Sequence, residues 1–153
     1  MHDATRQFIL DQVGQYTTNV TRQDFTVTFS GTDYALTNVV AVMPSANGAN
    51  QATLTGSGGT KRRQSTINRI LVAAHWDTRP TADNDPNPAN RLQPIPGAND
   101  GASGVAVLLE MARLLRATRP PVPVVLVFFD GEDFGQMFYG RSEERRVGKE
   151  CRL

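Results

Sequence analysis

The residues with the most chemical potential in this chain fall in three short clusters: His75-Trp76-Asp77, then Asp100, then Asp130-Gly131-Glu132-Asp133. Imidazole nitrogen and carboxylate oxygen together suit a borderline cation such as zinc when no thiolate competes. None can compete here, because Cys151 is the only cysteine and excludes both a disulfide framework and a thiolate site. Glu132 and Asp133 are adjacent, so an extended chain would point them apart, whereas a tight bend lets them share one site in different roles. One can ligate while the other carries a proton between a bound nucleophile and a leaving group. Taken alone, Asp-Gly-Glu-Asp also fits a solvated acidic turn, and a lone histidine fits a structural hydrogen bond.

Other motifs fail on inspection. Asp83-Asn84-Asp85-Pro86-Asn87 begins like a calcium loop, but Pro88 and Pro94 stand where an EF-hand needs glycine and glutamate. Gly58-Gly59-Thr60-Lys61 lacks the Gly-Lys-Ser/Thr order of a phosphate-binding loop and reads as surface connection. Ser103 lacks a Gly-x-Ser-x-Gly elbow and fits a helix cap better than a nucleophile. Trp76 could stack on a ligand or pack in the core. Arg79, Asp83 and Asp85 could shape a site rim, though solvated loop residues are the simpler reading.

The elements that must position the three clusters follow from periodicity. Ile70 to Ala74 is a short apolar run, expected to be a strand buried on both faces, and it stops at His75. Val124 to Phe129 is a second apolar strand and stops at Asp130. Between them, Gly104 to Arg116 places Val107, Leu108, Met111 and Leu115 on one helical face, with Ser103 or Asp100 as N-cap and Pro120-Pro121 as terminator. Strand, helix and strand in succession imply a right-handed crossover and parallel pairing. Ligands of open α/β sheets bind beyond the carboxyl ends of the strands, which is where both strands deliver their polar residues.

Upstream, residues from about Asp3 to Tyr16 suggest a short amphipathic helix with Asp3 as N-cap. Phe25, Val27 and Phe29 alternate with Thr26 and Thr28 as one arm of a hairpin, turning at Ser30 to Asp33 into Leu36 to Met43. Ser45 to Ser65 forms a long polar loop. The composition bounds the rest. With 39% apolar and 20% charged residues over 153 positions and a formal net charge of +1, one globular domain is expected, with no nucleic-acid or membrane-surface footprint. No apolar run nears the roughly 20 residues of a membrane span. The first residues lack the pattern of a secretory signal.

Three segments in order resemble metallopeptidase family 28, the zinc aminopeptidases and glutaminyl-peptide cyclotransferases: Ala74 to Pro80, Pro96 to Gly104 and Phe128 to Gly135. The resemblance spans residues 1 to 140. It implies a three-layer αβα sandwich with a mixed, largely parallel central sheet, here truncated to its N-terminal part. Residues 141 to 153 resemble translated adaptor sequence and are set apart as a tail outside the family. The resemblance makes Asp100 the central metal ligand, Asp133 a second ligand where many relatives have glutamate, and Glu132 the general acid/base. His75 would be a ligand when two zincs are held, with the Asp77 carboxylate buttressing its imidazole. A strained cis bond between Asp100 and Gly101 is also implied.

The long spacer from Thr78 to Pro96 looks most like bacterial glutaminyl cyclases, which convert an N-terminal glutamine to pyroglutamate with release of ammonia and would use one zinc. A zinc aminopeptidase with two zincs is the alternative. A non-catalytic homologue or an inactive fragment is a third, since the chain's histidines are His2 and His75 alone and the family's later histidine and acidic ligands lie further downstream. Peptide or protein N-termini are the implied substrates, and secretion or a periplasmic location is implied by resemblance only.

Overall fold

The computed structural model describes residues 2–29, 31–46 and 69–133. Most of the expected polar loop and all of the tail at 141–153 lie outside the described residues. The elements are α1 (His2–Gly14), β1 (Val20–Phe29), β2 (Thr32–Met43), β3 (Ile70–His75), a single 3-10 turn (Pro88–Asn90), α2 (Ala102–Ala117) and β4 (Val124–Phe129).

The strands form one mixed sheet in the order β1-β2-β4-β3. β1 pairs antiparallel with β2 as the expected hairpin, and β2 pairs antiparallel with β4. β4 pairs parallel with β3, as the strand, helix and strand succession requires, with His75 opposite Phe129. Both polar strand ends therefore emerge at the same edge, and the Trp76 N–H extends the ladder by one further bond to the Phe129 carbonyl at 2.9 Å.

The core lies on one face. Val39, Ala41 and Met43 of β2 alternate toward the helices, and so do Val124, Leu126 and Phe128 of β4. Against them pack Ile9 and Val13 of α1 and Val105, Leu108 and Ala112 of α2. Each large side chain taken fully from water here contributes about 1.5–3 kcal/mol. Leu71, Ala73, Val125 and Val127 point to the opposite face, which no helix covers among the described residues.

Several local expectations need correction. β3 ends up at the sheet edge, so Ile70 and Leu71 are half exposed, where burial on both faces was expected from the apolar run. Val107 faces solvent at 59% exposure; the face that α2 buries runs through Val105, Leu108 and Ala112, one register step away. Asp3 lies inside the first turn of α1 and pairs with Arg6 at 2.9 Å; it does not cap the helix. The N-cap of α2 is Gly101, without a side-chain cap, and Ser103 instead donates its hydroxyl to the Asn99 carbonyl. The helix ends at Ala117, with Thr118 as C-cap, just ahead of the two prolines.

Candidate metal centre

Three candidate ligands converge beyond the sheet edge. One donor atom each from His75, Asp100 and Asp133 lies within 4.8 Å of the others. His75 is the last residue of β3, Asp100 precedes the first turn of α2, and Asp133 follows the end of β4. The parallel pairing of β3 with β4 and the return of the chain through α2 are what bring them together.

The orientation of His75 has an electrostatic consequence. Its Nδ1 lies 3.1 Å from the Asp77 main-chain carbonyl, which can only accept, so Nδ1 carries a proton. Its Nε2 lies 3.0 Å from an oxygen of Asp100. In the neutral ring this sets a nitrogen lone pair against a carboxylate, an arrangement that calls for a cation shared between them, either a proton or a metal ion. Asp133 completes a nitrogen and oxygen donor set of the kind zinc accepts.

Asp77 does more than was expected of it. Its carboxylate is 3.7 Å from His75 Nδ1, longer than a hydrogen bond, so the ring is oriented by the Asp77 carbonyl. The carboxylate instead accepts the main-chain N–H groups of Glu132 at 3.1 Å and Asp133 at 2.8 Å. One residue thus fixes the imidazole through its backbone and the acidic turn through its side chain. Burial pushes the Asp77 carboxyl above its ordinary range, against the opposing effect of the two N–H groups; Asp130 raises it further and His75 lowers it. Glu132 is buried at the same turn, beside the half-buried Asp133.

Two glycines make these approaches possible. Gly101 has φ +97°, and a Cβ there would stand 2.8 Å from the Asp77 carbonyl oxygen. The missing side chain lets the start of α2 rest on the same carbonyl that orients His75, which carries Asp100 to the imidazole. No cis peptide bond occurs among the described residues, so the expected Asp100–Gly101 cis bond is corrected: the sharp direction change is taken up by the positive φ of Gly101. Gly131, at φ +72°, bends the chain out of β4 into the acidic turn.

The profile of peptidase family M28 matches residues 57–140, more than half of the chain. The chain belongs to peptidase family M28. Among solved structures, the glutaminyl cyclase of Bacteroides thetaiotaomicron bound to N-acetylhistamine is 32% identical over 90% of this chain and 41% of its own, with a TM-score of 0.71. A leucine aminopeptidase precursor from Bacteroides thetaiotaomicron VPI-5482 matches with 32% identity, the same two coverages and a TM-score of 0.70. A probable zinc metalloprotease of Pyrenophora teres f. teres is 38% identical over 84 residues, which is 55% of this chain and 16% of that protein. The chain therefore spans well under half the length of these relatives.

Within this M28 chain, Trp76 is a core residue: it is 5% exposed and its indole N–H donates to the Thr37 carbonyl at 3.3 Å, so the substrate-stacking alternative is set aside. Arg79 and Asp83 pair with each other on the exposed loop. The sequence patterns passed over His2, Thr37, Asn38 and the separate role of Asp130, all of which gather under the acidic turn. Only the fully apolar strand preceding Asp130 signalled that a carboxylate so placed would be drawn into the interior. No helix among the described residues is long and apolar enough to cross a membrane.

Proposed function

We propose that this chain supplies the zinc-holding and proton-transferring segment of an enzyme that processes peptide N-termini, with cyclisation of N-terminal glutamine as the favoured reaction. The supporting observation is the convergence of Asp100 and Asp133, whose carboxylate oxygens lie within 4.8 Å of each other beyond the sheet edge, oxygen donors that a divalent cation would complete. Asp100 and Asp133 would hold the single zinc of a cyclase, with His75 added as a ligand only where two zincs are held; when bound, the ion polarises a carbonyl or carboxamide oxygen as a Lewis acid. Residues 1 to 140 form the family part on this reading, and 141 to 153 stand apart from it.

Glu132 is the proton carrier. In cyclisation it takes a proton from the α-amine of the substrate and delivers one to the departing ammonia, while the amine nitrogen closes on the γ-carboxamide carbon. Its main-chain N–H is tethered to Asp77, which holds it beside the donor set without making it part of that set. Asp77 acts by holding this turn and the imidazole in mutual register. The likeness to glutaminyl cyclases and the long spacer from Thr78 to Pro96 support this reading.

One observation favours aminopeptidase chemistry instead: His75 joins Asp100 and Asp133 in one group, the ligand set expected where two zincs are held. Glu132 would then take a proton from the water that attacks the first peptide bond and pass it to the departing amine. The relative lengths make either activity a property of a longer protein containing this segment.

Zinc titration of the chain tests the donor set. Binding that weakens at least about tenfold in Asp100→Ala supports it, and binding of equal strength in that variant rejects it. For the longer protein, ammonia released from a glutaminyl peptide without cleavage selects the cyclase, free amino acid selects the peptidase, and neither selects a non-catalytic homologue.

A further inference from the structure

Asp130 is fully buried at the point where β4 leaves the sheet. The β2–β4 register, with Val39 opposite Phe128, would place Thr37 opposite Asp130 if the ladder continued. Side chains take over there. Asp130 Oδ2 accepts the Thr37 N–H at 2.7 Å, and the Asp130 N–H donates to Asn38 Oδ1 at 2.9 Å. The remaining oxygen, Oδ1, accepts from His2 Nε2 of α1 at 3.0 Å. The His2 ring in turn lies against Trp76, with centroids 4.4 Å apart.

A carboxylate this deep is costly unless charge and hydrogen bonds are matched. His2 is the one basic side chain within 4.0 Å of it among the described residues. The next residue is Gly131, and the two after it donate their N–H groups to Asp77. The acidic turn is thus anchored twice, at its start by Asp130 and on its far side by Asp77. The Asp77 anchor belongs to the site itself, whereas the Asp130 anchor reaches α1 and β2, which carry none of the candidate ligands.

We propose that Asp130 and His2 are positioning residues, their contact clamping α1 to the start of the acidic turn and so fixing where Glu132 and Asp133 present their carboxylates. The clamp is a claim about the turn's geometry; its effect on metal binding rests on the donor set proposed above. Amide hydrogen exchange in the full chain tests it without metal. In His2→Ala the Glu132 and Asp133 amides should exchange about tenfold faster or more, while those of Leu126 and Phe128 in β4 stay unchanged. His2→Gln, which keeps a side-chain N–H donor, should restore most of the protection. Val13→Ala, which loosens α1 packing without touching the contact, should not single out the turn.

Unchanged turn amides in His2→Ala, uniform acceleration along β4, or the same selective pattern in Val13→Ala would each overturn the clamp. With zinc ions as probe, His2→Ala should weaken binding about tenfold although His2 is no ligand, in the range seen for residues that orient ligands. Equal affinity in wild type and His2→Ala would remove the functional half of the proposal. A wild-type chain that binds no zinc rejects the donor set and leaves the amide pattern to decide the clamp.

Discussion

Two groups of carboxylates follow β3, and they are held by different means. At the strand ends, Asp77 and Asp130 are buried and spend their oxygens on main-chain N–H groups and on histidine. On the loop beyond Thr78, Asp83 takes both its bonds from Arg79, while Asp85 accepts the Asn87 N–H at 2.8 Å, all in solvent. The same side-chain type therefore fixes buried backbone in one region and makes its bonds in solvent in the other. Burial makes the difference: a buried N–H without an acceptor is penalised, whereas an exposed ion pair exchanges freely with water. Asp85 keeps the 3-10 turn in shape, and the strand-end carboxylates hold the turn that carries Glu132 and Asp133.

The largest expected effect comes from removing the Asp77 side chain. Asp77→Ala leaves the Glu132 and Asp133 N–H groups without their acceptor, at about 1–3 kcal/mol for each buried group. Relief of the desolvation that raises the Asp77 carboxyl offsets a part of this. A net loss of about 2–4 kcal/mol in urea unfolding is expected, together with weaker zinc binding. A loss no larger than that of Asp83→Ala would erase the contrast between the two regions. Gly101→Ala comes next. Its φ of +97° and the 2.8 Å approach to the Asp77 carbonyl both oppose a side chain, so about 1–3 kcal/mol is expected from strain. The same substitution should displace Asp100 from His75, and an Asp100 Cγ to His75 chemical-shift perturbation together with reduced zinc affinity would register it. Asp83→Ala, by contrast, should leave the urea midpoint and zinc affinity where they are, since its ion pair is solvent-exposed.

The sequence announces the strand-end group more clearly than the means of holding it. Apolar runs that stop abruptly at His75 and at Asp130 locate both strand ends, and a helical repeat between them requires the parallel pairing that unites those ends. Adjacent carboxylates at Glu132 and Asp133 imply a bend, which Gly131 provides. What periodicity does not carry is contact between distant segments. His2 meets Asp130 across almost the whole described chain, and nothing local to either residue encodes the meeting. Position within the sheet is equally non-local: Ile70 to Ala74 has the composition of a central strand, but among the described residues β3 is the outermost strand and Leu71 points to the face that no helix covers, so it stays half exposed. For α2, the helical repeat points to a stripe through Val107, whereas the close approach of Gly104 to Ala74 of β3 turns Val105, Leu108 and Ala112 into the core.

The smallest effect sharpens the comparison by isolating exposure from hydrogen bonding. Asp24 lies on β1, opposite Thr37, with a side chain 60% exposed, yet its carboxyl is held below the ordinary range. The Thr37 hydroxyl, donating at 2.6 Å, is the principal cause, and Arg22 adds to it. A carboxyl lowered in the folded state binds fewer protons there than when unfolded, so it stabilises the fold at pH above its unfolded value of about 3.9 and loses that contribution as pH falls through the folded value. Asp24→Asn should therefore flatten the acid limb of a urea-midpoint titration slightly and leave the neutral limb parallel to wild type. Thr37→Val should flatten it by a similar amount, and Arg22→Ala by less. Equal effects from Arg22→Ala and Thr37→Val would mean that charge, rather than the hydroxyl, sets the Asp24 carboxyl, which would place Asp24 with Asp83 among carboxylates governed by exposed ion pairs.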